Sequence, residues 1–376
     1  MPEQPIQAPQ PFVAPGYEEV ADALGAQLAE DPGYSAQVAA FVAGQLVVDL
    51  WGGPHMRGDS LICVYSVSKG LTGLVLGRLI DQGVLDLDKP VAASWPEFAQ
   101  AGKQTVSVRQ LLSHQAGLPE VDGGLPAQAY HDDSLAAELL ARQRPFWQPG
   151  SAWGYHALTL GFLANELCRR LTGRTVQQVF EEDIRAPRGL DVYLGLPEEL
   201  EPRTVQVLLP DPPPSLPGDQ LIDLVGRGAL GDPGLAGIAN SREGHRIGTP
   251  AAGGVASARG LAGAYAAALG HDRGLFTEQT FAAMGQIHSS GRDITNGAAG
   301  RFGVVFQKPH PGRPFAGYRA IGHDGAAGSL GFADPDGDVA FGFTTNRIAP
   351  EGGDRRADAL AAIVLRVARA RSSATR

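Results

Sequence analysis

Cysteine is almost absent from this chain: Cys63 and Cys168 are the two in 376 residues. Two thiols cannot build a disulfide framework or a cysteine zinc site, and both sit in apolar contexts that suit buried fillers. Lysine is nearly as scarce. Only Lys69, Lys89, Lys103 and Lys308 occur, so arginine supplies most of the positive charge. A lysine here draws attention, because an ammonium can lose its proton inside a protein and a guanidinium cannot. With a net charge of −9 and scattered basic residues, the chain lacks the basic stripe of a nucleic-acid binder. It also lacks an apolar run of membrane-spanning length. The opening MPEQPIQAPQPFVAPG has neither a basic start nor an apolar stretch behind it, which points to a cytoplasmic protein. Dispersed histidines, with no H-E-x-x-H and no P-loop, give no support to a metal or cofactor.

What is present suits a folded enzyme. A hydrophobic share of 43% against 19% charged residues, over this length, can bury a large core. Residues 1–15 read as a flexible tail and 16–376 as one catalytic domain. Tyr17, Val20, Leu24 and Leu28 recur at helical spacing. QVAAFVAGQLVVDLWGG reads as a hairpin hinged near Gly44, and a short run, Leu61 to Tyr65, leads into Ser66. The middle is helix and loop: Ser107 caps a short helix, and a longer one runs from Leu158 to Gly173. The Pro- and Gly-rich stretch from 197 to 250 reads as a surface excursion. Strands return at Arg301 to Phe306 and in SLGFADPDGDVAFGFTTN, which turns at Asp334 to Gly337, and a helix carrying Leu360, Ile363, Val364 and Val367 follows. The expected fold class is α+β. An antiparallel sheet collects both chain ends (about 16–65 and 270–376), terminal helices flank it, and a helical part (about 66–269) is inserted.

Chemistry concentrates at Ser66-Val67-Ser68-Lys69, an S-x-x-K where a strand gives way to a helix. Three residues make nearly one helical turn, so Ser66 and Lys69 project from one side. The helix N-terminus favours developing negative charge at Ser66. A lysine buried under an apolar helix loses its proton more readily and can then take the serine proton. The plainer alternative makes Ser66 an N-cap and Lys69 a surface charge.

YSVSKGLTGLVLGRLIDQGVLDLD resembles the nucleophile segment of class C β-lactamases and of the related family VIII carboxylesterases. VRQLLSHQAGLP, QPGSAWGYHALTLGFLANEL, AAGGVASARGLAGAYAAAL and IGHDGAAGSLGFADPDGDVAFGFTTNRI fit the same group in the same order. The resemblance implies a β-lactamase/transpeptidase-like fold and a Ser–Lys–Tyr site. Tyr155 takes the place of the Y-x-N tyrosine, where a phenolate beside Lys69 would relay the proton. His323-Asp324-Gly325 stands where relatives carry K-T-G. By the same resemblance, Gly325 lets the backbone approach substrate, and the N–H groups of Ser66 and Ala326 form the oxyanion hole.

Two departures shape the functional expectation. Ala157 replaces the Asn of Y-x-N, and His323 replaces the Lys of K-T-G, so two groups that hold β-lactams are missing. Cleavage of a small-molecule ester, or transfer of its acyl group, is favoured over β-lactam or D-peptide hydrolysis. A non-catalytic receptor on the same scaffold is the alternative from another class. His323 is expected to gain charge near pH ~6.5 and so to tune the preference between anionic and neutral substrates, with Arg347 as a rival source of positive charge. Two motifs are decoys. Ser329 imitates a nucleophile elbow but has no histidine downstream, and Gly226 to Gly231 spells G-x-G-x-x-G ahead of a turn where a dinucleotide site needs a helix.

Overall fold

The computed structural model describes residues 10–208, 234–347 and 354–374. Its centre is a six-stranded antiparallel sheet fed by both chain ends, as expected. From one edge to the other run β1 (Phe12–Val13), β3 (Gln45–Gly52), β2 (Ala36–Val42), β11 (Val339–Thr345), β10 (Leu330–Asp334) and β9 (Ile321–Asp324). The β2–β3 turn places Ala43 and Gly44 at φ 49° and 74°, the double left-handed geometry that matches the twist of a tight hairpin.

The sheet is covered on both faces. Helix α1 (Glu18–Glu30) and the C-terminal helix, Arg356–Ala374, close one face, where Tyr17, Val20 and Leu24 meet Phe332, Phe341, Leu360 and Val364. On the other lies the alanine-rich helix Ala258–Ala268. It approaches so closely that a Cβ on Gly342 would collide with the Ala258 carbonyl. Helix α2 (Val67–Asp81) is buried along nearly its whole length, and is packed against β9, β10 and the helical region. That burial explains why its sequence is apolar nearly all round. The capping box at Ser107 starts α3 (Val108–Leu112), Asp132 caps α4 (Asp133–Arg142), and a left-handed Gly173 ends α5 (Thr159–Thr172).

Several boundaries differ from the sequence reading. The stretch 1–15 is not all tail, because Phe12 and Val13 pair with Asp49 and Val48. The run before Ser66 does not join the large sheet. Its β4 (Ile62–Cys63) makes a small sheet with β6 (Val255–Ala256), which also pairs β5 (Val192–Tyr193), so the helical part contains strands. These segments are buried on both sides, and apolar runs that short carry no signal of their partner. The strand expected over Arg301 to Phe306 is instead β8 (Ala299–Phe302), paired with β7 (Ser289–Arg292). Val305 beyond it turns to φ 68°. Of the 197–250 excursion, Glu198–Arg203 and Arg242–Ile247 are short helices. Its centre, with the G-x-G-x-x-G, lies outside the described residues.

Candidate active site

Ser66 sits at the start of α2, and the backbone there is held tightly. Tyr65, just before it, adopts φ 47°, an uncommon geometry for a bulky residue. It persists because Tyr65 is fully buried and its carbonyl accepts both the N–H (2.9 Å) and the hydroxyl (2.5 Å) of Ser68. The kink lifts Ser66 out of the apolar packing, so that its side chain lines a cavity of about 560 Å³. Tyr155, His323, Gly325 and Ala326 line the same cavity.

One turn further on, Lys69 is only 1% exposed. Its Nζ lies 3.1 Å from Ser66 Oγ and donates to the carbonyls of Ala157 (2.6 Å) and Ala251 (2.9 Å). The position where relatives carry Asn therefore still serves Lys69, through its backbone. Burial pulls the Lys69 amine down to about 7, against an opposing pull from the Asp324 carboxylate. A neutral amine within reach of a serine hydroxyl is a general base. The plain N-cap reading of Ser66 does not fit, since its side chain makes no capping bond.

Tyr155 closes the triangle. Lys69 Nζ lies 4.8 Å from the centre of its ring, and its hydroxyl faces Ser66 and stands 3.5 Å from His323 Nε2. Burial first, then the charges of Asp324 and Asp293, push the phenol well above its ordinary range, with Ser66 opposing. This corrects the sequence expectation of a phenolate: the resting tyrosine is protonated, and Lys69 is the group whose proton burial loosens.

His323 is corrected as well. It lies 1% exposed on β9, and its Nδ1–H donates to the Asp324 carbonyl at 2.7 Å, which leaves Nε2 as an acceptor toward Tyr155. Burial and the neighbouring Lys69 push it down to about 3, so it is neutral throughout the working range. Arg347 does not replace the lost lysine, because it binds Asp31 at 2.5 Å and takes no part in lining the cavity. Gly325 lines the cavity and also packs against the protein on its other side, where a Cβ would strike the Val64 carbonyl. Ser329 is fully buried outside the cavity lining.

Sequence reasoning missed much of the cavity wall. Trp153 and Phe302 form an aromatic side with ring centres 5.6 Å apart, extended by Ala298 to Gly300. The opposite end is charged but balanced. Arg313 pairs with Asp324 at 2.9 Å and bonds the Asp354 carbonyl at 2.6 Å, while Asp354 pairs with Arg356 and Arg355 with Asp358. Asp324 was visible inside His-Asp-Gly, whereas Arg313 and Phe302 carry no local signal. Among the described residues, no three His, Cys, Asp or Glu side chains cluster to hold a metal ion. No helix among them is long and apolar enough to cross a membrane.

The Beta-lactamase family model matches residues 21–366. The chain belongs to the beta-lactamase family. Within that family it is similar to the esterase/beta-lactamase LipL of Mycobacterium tuberculosis, with 31% identity over 83% of this chain and 76% of that protein. Among solved structures it resembles EstA from Arthrobacter nitroguajacolicus Rue61a, at 44% identity and a TM-score of 0.92, covering 97% of this chain and 100% of that one. A family VIII carboxylesterase follows at 32% identity and a TM-score of 0.86, over 96% and 100% of the two chains. The β-lactamase/transpeptidase-like fold is thus established.

Proposed function

We propose that this protein hydrolyses small, neutral carboxylic esters through an acyl-enzyme on Ser66. The observation that carries the reading is the buried Lys69 amine, drawn down to about 7 and 3.1 Å from the Ser66 hydroxyl. Neutral Lys69 takes the Ser66 proton as Oγ bonds to the ester carbonyl carbon. The oxyanion lies toward the backbone N–H groups of Ser66 and Ala326, where the α2 N-terminus favours negative charge. As the intermediate collapses, the alkoxide leaves with a proton delivered through the Tyr155 hydroxyl, and Lys69 supplies its replacement. Water then releases the acid by the same steps in reverse.

Similarity to an esterase/beta-lactamase and to a carboxylesterase supports ester chemistry. The matched charges of Arg313 and Asp324, beside a neutral His323, favour neutral over anionic substrates. Two measurements test the proposal: mass spectrometry after a serine-reactive phosphonate, and rates on nitrophenyl esters of rising chain length beside a chromogenic cephalosporin. The adduct is expected on the Ser66 peptide, with ester turnover far exceeding that of the cephalosporin. An adduct on Ser329, or neither labelling of Ser66 nor ester turnover, overturns the reading, and the second result would indicate a receptor.

A further inference from the structure

Tyr155 stands on backbone that belongs to no helix or strand: residues 152–156 are irregular, wedged between a turn and the start of α5. Buried backbone groups in such a segment still require partners. Gly154 N–H donates to the His114 carbonyl at 3.1 Å, and His156 N–H to His114 Nδ1, also at 3.1 Å. The His156 ring accepts from Leu118 N–H at 2.9 Å and donates to the Gly154 carbonyl at 2.7 Å. The N–H of Tyr155 itself goes to a carboxylate, Asp293, at 3.2 Å and 3.1 Å from its two oxygens.

Asp293 is 138 residues away in sequence and only 3% exposed. It forms the end of the β7–β8 hairpin and is fixed there from several directions. Its carboxylate accepts the N–H and the hydroxyl of Thr295, both at 2.7 Å, and its own N–H and carbonyl bond Ala298 and Gly297, both at 2.8 Å. The hairpin tip packs directly on the residue before Tyr155, where a Cβ on Gly154 would collide with Thr295 and crowd Ile294. Burying a carboxylate is costly, and this one is tolerated because backbone and hydroxyl donors surround it.

We infer that Asp293 is a positioning residue for proton transfer, holding the Tyr155 backbone so that the phenol stays between Ser66 and His323. The inference rests on the reading of Tyr155 as the proton-transferring group. The Asp293 carboxylate also adds to the burial that keeps the phenol protonated. Replacing one carboxylate oxygen by an amide turns an acceptor toward Tyr155 or Thr295 into a donor, so the segment must shift. Small displacements of a reacting group cost roughly 10- to 100-fold in rate.

The experiment is a double-mutant cycle of Asp293→Asn with Tyr155→Phe in the full chain, with kcat normalised to phosphonate-titrated Ser66. An alkyl ester and a nitrophenyl ester of the same acid serve as substrates. Asp293→Asn should lower kcat on the alkyl ester roughly tenfold or more with KM little changed. The loss should be smaller on the nitrophenyl ester, whose leaving group needs little protonation, and Tyr155→Phe should show the same pattern. The double variant should be little worse than Tyr155→Phe alone. Thr295→Val, which removes one hydroxyl donor to Asp293 but keeps the packing, should stay within about twofold of wild type. Multiplying losses, or a Thr295→Val defect equal to that of Asp293→Asn, overturns the inference. If Tyr155→Phe is itself fully active, the reading of Tyr155 fails instead.

Discussion

Ser66 and Lys69 share one rigid element, whereas Tyr155 is held by borrowed partners, and the two halves of the site are therefore built by different physics. The spacing of the first pair follows from the pitch of α2, which is buried at nearly every position from Val67 to Leu79. Regular backbone bonds fix that geometry, and removing one neighbour would hardly move it. The tyrosine half depends instead on side chains from distant parts of the chain: His114 from the segment after α3 and Asp293 from the β7–β8 hairpin. A nucleophile and its base can be placed by secondary structure alone. The group that must reach across to a departing alkoxide lies where several elements meet, and only tertiary packing positions it.

The largest effects should come from the helix-borne half. Lys69→Met should lower kcat/KM by roughly 10³-fold or more, because Lys69 is the amine that bonds Ser66 Oγ, and Lys69→Arg should be no better since a guanidinium keeps its proton. Tyr155→Phe should cost less, about 10²-fold, because the phenol assists a proton that Lys69 has already taken. Initial rates on an alkyl ester across this series check the ranking. A Tyr155→Phe loss exceeding that of Lys69→Met would reverse the assigned roles and make the irregular half the base.

The same contrast explains what was legible in the sequence. S-x-x-K, the hairpin at Gly44 and the amphipathic terminal helices are local patterns, and each appears where its period predicts. The resemblance supplied Tyr155 and His323 by position. It could not supply their protonation, which depends on burial that no single segment encodes. Lysine scarcity was informative for the reason first given, since burial draws Lys69 down to about 7 and Lys103 and Lys308 to about 8. Lys103 and Lys308 are as buried as Lys69 and, like it, bond backbone carbonyls, Gln100 and Gln143 for one and Ala320 for the other, but Lys69 also reaches a serine hydroxyl. Rarity marked burial in all three, and only a cavity containing a serine hydroxyl turns burial into chemistry. Asp293 and Arg313 were invisible because each acquires meaning only through a partner brought close by folding.

The pH dependence separates the two halves further. In the proposed mechanism Lys69 acts only when neutral, and its amine is drawn down to about 7. Activity should therefore be half-maximal near pH ~7, level off about one unit above it and fall towards tenfold per unit below, reaching a loss of about 100-fold near pH 5. Tyr155, pushed upward, should add no limb below pH 9. Profiles of kcat/KM between pH 5 and 9 on a neutral ester test this. A second ionisation near 6.5 would indicate that a histidine of the site titrates after all.

The smallest expected effect is the sharpest test of His323. The sequence, taken alone, predicts a preference for neutral over anionic esters that narrows as pH falls toward 6. The structure predicts that the preference does not move. His323 is buried, donates Nδ1–H to the Asp324 carbonyl and is pushed down to about 3, so its charge is zero at pH 6 and at pH 8 alike. Lys69 does titrate across that window, but its protonated form is inactive toward every substrate, and a common loss of base cancels from a ratio of kcat/KM values. Arg313 lies 2.9 Å from Asp324 and opposes the upward push of burial on that carboxyl. The ratio for a neutral ester against an acid-bearing ester of equal leaving group should thus hold within about twofold from pH 6 to pH 8. His323→Gln, which keeps a neutral side chain, should leave its pH independence intact. A ratio that narrows severalfold toward pH 6 in the wild type, and ceases to do so in His323→Gln, would show that His323 gains its proton in the free site and selects substrate charge directly.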